Sequence, residues 1–218
     1  MARLSEASED YVKAVWTLSR KGKVTTTALA EELGVAPASV TAMLKKLAKL
    51  KLVDHEPYHG VTLTPAGERV ALEVVRHHRL VERFLVEALG VPWDEVHHEA
   101  DRWEHVLSEE LEQRMDAALG FPTTDPHGDP IPDAKLRLAK TDFTPLAAIE
   151  PGAAATVGRV PDEDAGLLRY LAEIGVVPGE RIEVCSAEPF GGPVTVRSSR
   201  GQRSLSRELA GQIEVSPC

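Results

Sequence analysis

A chain of 218 residues with 43% hydrophobic and 27% charged side chains has the composition of a folded globular protein, which excludes a disordered polymer, and room for one large domain or two small ones. Its formal net charge of −9 is only a mild argument against nucleic acid as a partner, because local placement and not the total sets the potential at a docking face. No apolar run approaches the length of a membrane span, the N-terminal MARLSEASEDYV lacks the apolar core of a signal peptide, and Cys185 and Cys218 form no paired motif. A cytoplasmic chain without membrane contact is expected. Aromatic content is low, so Leu, Val and Ala must build most of the core.

Residues 5–20 predict a helix, with Ser5 or Ser8 as cap, Glu6, Glu9 and Asp10 in its first turn and Tyr11, Val12, Val15, Trp16 and Leu18 as apolar contacts. A second helix starts near Thr25 or Thr26 and ends at Gly34. A third carries PASVTAMLKKLAKLKLV, residues 37–53. Helix, helix, a turn containing Gly34, then a helix with small residues early and lysines late is the order a helix-turn-helix requires. Small side chains at Ala36, Pro37, Ala38, Ser39 and Thr41 let that helix approach base edges and phosphates. Lys45, Lys46, Lys49 and Lys51 add positive charge. The expected DNA-contact set is Thr26, Ala36, Pro37, Ala38, Ser39, Thr41, Lys45 and Lys46. Two short strands, Leu52–His55 and Gly60–Thr64, flank a turn at Glu56-Pro57-Tyr58-His59 and complete a winged helix-turn-helix.

Thr64-Pro65 opens a long helix with Thr as cap and Pro at its first position. Its apolar residues, from Val70 to Leu85, exceed what one wing can cover, which suggests a homodimer and hence a two-fold, palindromic double-stranded DNA operator. The helix breaks at Gly90-Val91-Pro92 and a further helix is expected from His97 to Met115.

His78 and Glu82 are four apart on the first of these helices. On the second, His97, Asp101, Glu104 and His105 fall within one arc of roughly 100°. Val96, Ala100, Trp103, Leu107 and Leu111 are expected to fill the adjoining arc as core. Carboxylates and imidazoles half-buried together are unfavourable unless their charge is compensated, and a divalent cation is the simplest compensation. A solvated helix face is the bland alternative. The chain has no His-Glu-x-x-His motif, and a donor set rich in carboxylate and free of thiol suits Mn(II) or Fe(II) better than structural zinc. Spacing alone leaves a metal sensor and a metal enzyme both open.

From Phe121 to Pro145 the composition turns to Pro and Asp, which marks a boundary. Beyond it, β-type runs at Ala154–Val160, Arg181–Cys185, Val194–Arg197 and Ile213–Val215, interrupted by a helix at Asp164–Ile174, predict a small barrel similar to an SH3 domain.

RHHRLVERFL, HHEADRWEHVLSEELE and DPHGDPIP, behind a winged helix-turn-helix, resemble the diphtheria toxin repressor family of metal-dependent regulators, with a closer likeness to its manganese-responsive members. The resemblance spans the chain and implies a fold that is mainly α with a β C-terminal domain. Residues 1–72 would form the DNA-binding domain, 73–120 a helical metal-binding and dimerisation domain, 121–145 a Pro-rich linker and 146–218 an SH3-like domain. It implies a regulatory metal site at Asp10, Asp101, Glu104 and His105. A second site would use His78, Glu82 and His97 with help from Glu163 or Asp164, a pair that reads equally well as a helix cap. The iron-responsive members carry Met and Cys where this chain has Asp10 and Asp101, and two carboxylates suit Mn(II) first and Fe(II) second. Manganese-responsive members without a third domain carry an acid at the position of Lys13, which leaves the two-metal arrangement open. The implied function is a metal-loaded repressor of metal-uptake genes. Its competitors are an iron-responsive repressor, a two-metal hydrolase fused to a helix-turn-helix, and a ligand-sensing regulator whose acids are mere surface.

Overall fold

A computed structural model describes residues 4–56, 60–162 and 164–218, with the backbone alone of His55 and Glu56. Pro57, Tyr58 and His59 of the expected wing turn, and Glu163, lie outside the described residues. The chain divides into two compact units. One comprises Met1–His78, Asp101–Glu112 and Pro132–Arg137, and the other Arg79–Ala100, Gln113–Ile131 and Leu138–Cys218.

The first unit opens with α1 (Glu6–Lys21), α2 (Thr26–Glu32) and α3 (Pro37–Lys49), followed by the antiparallel pair β1 (Val53–Glu56) and β2 (Gly60–Leu63). The inward face of α1 buries Ser8, Tyr11, Val12, Ala14, Val15 and Trp16. Val40, Leu44 and Leu47 of α3 and Leu29 of α2 are fully buried in the same unit, each contributing about 1.5–3 kcal/mol by leaving water. Thr25 caps α2 by accepting the Ala28 N–H at 3.1 Å, and Pro37 opens α3. The third helix stops a turn earlier than expected. Leu50 is its cap and Lys51 adopts a left-handed φ of 59°, with the Lys51 and Leu52 N–H groups folding back onto Ala48 and Leu47 carbonyls. The stop is built without Gly or Pro, so the sequence carries no sign of it.

Then come α4 (Pro65–Leu89), α5 (Val96–Trp103) and α6 (Glu109–Ala118). Thr64 caps α4 as expected, accepting the Gly67 N–H at 3.1 Å. The single helix expected from His97 to Met115 is in fact two. Glu104, His105 and Val106 form a turn, and Ser108 begins the next helix with its hydroxyl accepting the Leu111 N–H at 3.3 Å and with Glu109, Glu110 and Glu112 behind it. A capping residue followed by acids is a stronger local instruction than the four-residue repeat of donors that suggested continuity. Two residues expected as core on that helix also turn outward: Trp103 is 37% and Leu111 47% exposed, while Val96, Ala100 and Leu107 are buried.

The second unit contains a six-stranded antiparallel sheet. Its strands are β3 (Thr144–Pro145), β4 (Ala154–Arg159), β5 (Arg181–Ala187), β6 (Val194–Ser198), β7 (Gly201–Leu205) and β8 (Glu214–Pro217), in the order β3-β8-β4-β5-β6-β7. Helices α7 (Ala165–Glu173) and α8 (Arg207–Gln212) lie between strands in sequence. Leu146, Leu171, Ile174, Ile182, Val194, Leu205 and Ile213 sit in one fully buried cluster. All four expected strands are present, whereas β7, whose residues GQRSL are mostly exposed, and α8 were not anticipated. The stretch from 121 to 145 is more than a linker. Asp125, His127 and Asp129 within it are at most 7% exposed, and Thr144–Pro145 joins the sheet.

Candidate metal centre

In the first unit α1 presents Glu9, Asp10 and Lys13, and the turn after α5 presents Glu104 and His105. One ligand-type atom each from Asp10, Glu104 and His105 lies within 4.8 Å of the others. His105 is gripped on both sides, with Nε2 2.8 Å from Asp10 Oδ1 and Nδ1 2.8 Å from Glu9 Oε2. Burial raises the Asp10 carboxyl above its ordinary value even though His105 pulls it down. Burial likewise pushes Glu104 upward, but the hydrogen bond from His78 and the charge of Lys13 outweigh it and leave Glu104 below its ordinary value. Glu104 is 2% exposed and lies 2.5 Å from His78 Nδ1. Of the four expected regulatory ligands, Asp10, Glu104 and His105 converge; Asp101 lies with Lys13 and His78, at 3.2 and 3.4 Å.

The second unit holds another group. Glu82, Asp125 and His127 are all buried, with one ligand-type atom each within 4.8 Å of the others. His127 Nε2 donates to the Trp93 carbonyl at 2.9 Å. Nδ1 therefore carries the lone pair in the neutral ring. It has no hydrogen-bond partner among the described residues and stands 3.7 Å from Glu82 Oε2. Burial opposes a charge on His127, yet the neighbouring Glu82 carries its pKa up to about 9. Asp125 is pushed up to about 8, first by burial and then by Glu82 and Asp129. Two carboxylates and one imidazole nitrogen with its lone pair facing them are a donor set for a divalent ion of hard or borderline character.

Of the residues expected at a second metal site, His78 lies beside Glu104, and Nδ1 of His97 is 3.3 Å from Glu82. Asp164 caps α7, accepting the Leu167 N–H at 2.9 Å. Asp125 and His127 were missed as donors. Their signal was an Asp and a His two residues apart in a Pro/Gly turn, where helical periodicity says nothing.

The expected DNA-reading surface is open. Ala36, Pro37, Ala38, Ser39 and Lys45 are exposed and Thr26 and Thr41 are half-buried. Thr41 donates its hydroxyl to the Pro37 carbonyl at 3.1 Å. Lys46 reaches α1 instead, with Nζ 3.2 Å from Ser8 Oγ, and Ser8 Oγ also lies 4.0 Å from Met43 Sδ.

A winged helix-turn-helix followed by helices bearing carboxylate and imidazole donors defines a DNA-binding regulator that responds to a metal ion. The comparisons with known proteins make the class specific. Residues 3–61 match the iron dependent repressor N-terminal DNA-binding domain, 64–133 the iron dependent repressor metal-binding and dimerisation domain, and 144–217 the FeoA domain. The chain is 33% identical to the iron-dependent repressor IdeR of Mycobacterium leprae over 99% of both chains, and 27% identical to the diphtheria toxin repressor of Corynebacterium glutamicum over 99% of this chain and 98% of that one. Among solved structures it is similar to a manganese-dependent transcriptional repressor in complex with manganese, at 42% identity and a TM-score of 0.89 over 97% and 100% of the two chains. The chain belongs to the diphtheria toxin repressor family of metal-dependent transcriptional repressors.

Proposed function

We propose that this chain is a manganese-dependent repressor that acts in the cytoplasm as a homodimer on a two-fold operator and shuts off metal-uptake genes when loaded. The observation that carries the reading is the route from donors to DNA within the first unit. Asp10 meets Glu104 and His105, and two residues before it on the same helix Ser8 holds Lys46 and lies beside Met43 of α3. Asp10, Glu104 and His105 would hold one ion, and Glu82, Asp125 and His127 a second. A bound divalent cation supplies the positive charge that lets buried carboxylates share a site. The chain's own part is mechanical. Drawing Asp10 towards Glu104 and His105 fixes α1, and α1 fixes the reading helix through Ser8. Manganese is favoured over iron because every position open to a soft ligand holds a carboxylate or imidazole, and the solved relative with 42% identity is a manganese-dependent repressor bound to manganese. The division into 1–72, 73–120, 121–145 and 146–218 is the domain scheme we propose alongside it.

Fluorescence anisotropy on promoter fragments, with chelator and then with Mn(II), Fe(II) or Zn(II), tests the reading. Tight binding should appear only with metal, and Asp10→Ala or Glu104→Ala should abolish it while leaving a folded dimer. Wild-type metal-dependent affinity in either variant would overturn the site. A regulator, not a hydrolase, is expected, so the Mn(II)-loaded protein should cleave neither phosphate esters nor peptides above the rate of free Mn(II).

A further inference from the structure

The acidic cluster of the first unit already contains a cation. Lys13 follows Glu9 by four residues and Asp10 by three, so α1 presents all three side chains on one face. Lys13 Nζ donates to Glu104 Oε2 at 2.7 Å and to Asp101 Oδ1 at 3.2 Å, and stands 3.0 Å from His78 Nδ1. Buried Glu104 turns its two oxygens towards different neighbourhoods. Oε1 lies 3.4 Å from His105 Nε2, on the side of Asp10, while Oε2 faces His78 and Lys13. The second neighbourhood therefore brings the His78 imidazole and the Asp101 and Glu104 carboxylates to the Lys13 ammonium.

We propose that Lys13 is the resident cation of that second neighbourhood, occupying with its ammonium the position a second divalent ion would take, so that the first unit holds one metal ion and not a Glu104-bridged pair. The inference rests on the metal site proposed above. Charge supports it. Asp101 and Glu104, the two carboxylates that meet Lys13, already share its positive charge, which a second divalent ion at that place would have to displace. A lysine in this place also cannot leave with the metal. It keeps Asp101 and Glu104 tied to α1 in every metal-loading state, so that loading acts on the Asp10 end of the helix alone. A merely structural ion pair would make a different prediction: loss of Lys13 would lower stability and leave the number of bound ions unchanged.

The test uses the full chain carrying Asp125→Asn and His127→Gln, which removes donors from the second unit. Mn(II) is titrated in and bound ions are counted by loss of the free-ion electron paramagnetic resonance signal and by native mass spectrometry. One ion per chain is expected with Lys13 and with Lys13→Arg. Two are expected with Lys13→Met, the second accompanied by the spectrum of a spin-coupled manganese pair. One ion in Lys13→Met, or two in the chain that retains Lys13, overturns the proposal; the second outcome is decisive even if Lys13→Met does not fold. Asp10→Ala in the same background separates the two readings. If the parent binds one ion and Asp10→Ala none, the metal site stands and only the role of Lys13 is at stake. If the parent binds none, the site itself is wrong and the proposal falls with it.

Discussion

Glu9 and Asp10, adjacent on α1, contact opposite nitrogens of one ring, so the orientation of His105 is set before any ligand arrives. Nδ1 stands 2.8 Å from Glu9 Oε2 and Nε2 2.8 Å from Asp10 Oδ1, so the two carboxylates together hold the orientation of the ring. Glu9→Ala should therefore weaken Mn(II) binding at this site by about 10–100-fold although Glu9 is not itself a ligand. Competition against a chelating dye measures it, and an unchanged affinity would show that the ring is oriented by other means. In the second unit the same level of detail yields a pH dependence. Asp125 retains its proton up to about pH 8 instead of 3.8, and His127 up to about 9 instead of 6.5. Between the ordinary and the shifted values the folded chain holds protons that an unfolded chain has released, so metal-free stability must fall as pH rises through this range, most clearly from 6.5 to 9. His77 is shifted upward as well and acts in the same sense. Ion binding to these atoms needs the protons gone, so the gain in Tm from Mn(II) should grow over the same window. A metal-free Tm that stays level or climbs from pH 6.5 to 9 would contradict the assignment. The two groups of donors differ in how visible they were in the sequence. Glu104 and His105 stood out because regular spacing near a helix advertises a shared face, and Asp10 joined them only through the family resemblance. Asp125 and His127 lie in DPHGD, whose turn is fixed by the Asp125 carboxylate accepting the N–H groups of His127 and Asp129 at 2.8 and 3.0 Å, and such closure has no period to detect.

In the proposed mechanism two elements relay or position what these residues do. The first is the contact of α1 with α3. Ser8 is fully buried, accepts from Lys46 and lies next in line to Glu9 and Asp10. Ser8→Ala removes the hydroxyl that accepts from Lys46 and also meets Ser5 Oγ at 2.8 Å and Met43 Sδ at 4.0 Å, and the bond to Lys46 is worth about 1 kcal/mol. Metal affinity should stay at the wild-type value while metal-dependent DNA affinity drops on the order of fivefold. Anisotropy and dye competition on the same sample separate the two, and a parallel loss of both would deny Ser8 a relay role. The second element is the DPHGD turn. Gly128 has φ of 93°, and a Cβ there would stand 1.9 Å from the Gly158 carbonyl oxygen. Gly128→Ala should cost at least about 1–3 kcal/mol in urea denaturation from backbone strain alone and abolish ion binding by Glu82, Asp125 and His127, with the Asp10 site still loading. Helices α1 to α4 and α7, the two strands of the wing and four strands of the six-stranded sheet were legible because apolar periodicity and caps mark them. The break between α5 and α6 was not, since the donors at His97, Asp101 and His105 continue a helical spacing straight through it. SEELE from Ser108 onward was the contrary signal, and the structure obeys the cap.

At the scale of the whole molecule the question is how a chain of net charge −9 binds a polyanion. The reading helix answers by local excess. Lys45, Lys46 and Lys49 project from α3, which contains no acid, while the acids concentrate elsewhere, in the donor groups and in the first turn of α6. Binding should then be electrostatic at the interface despite the overall sign, and log K should fall linearly with log salt by about 0.9 for each phosphate neutralised. Lys45 and Lys46 make separable predictions. Lys45 is exposed, so Lys45→Ala should lower the salt slope by about one per subunit and weaken specific and non-specific DNA alike. Lys46 is tied to Ser5 and Ser8 of α1, at 3.4 and 3.2 Å, so Lys46→Ala should leave the slope nearer the wild-type value and instead shrink the ratio of affinities with and without Mn(II). Salt titrations of the two variants, each with Mn(II) and with chelator, decide the matter. If both lysines move only the slope, they contact phosphate in the same way, and the coupling between metal and DNA must pass through the apolar packing of α1 against α3.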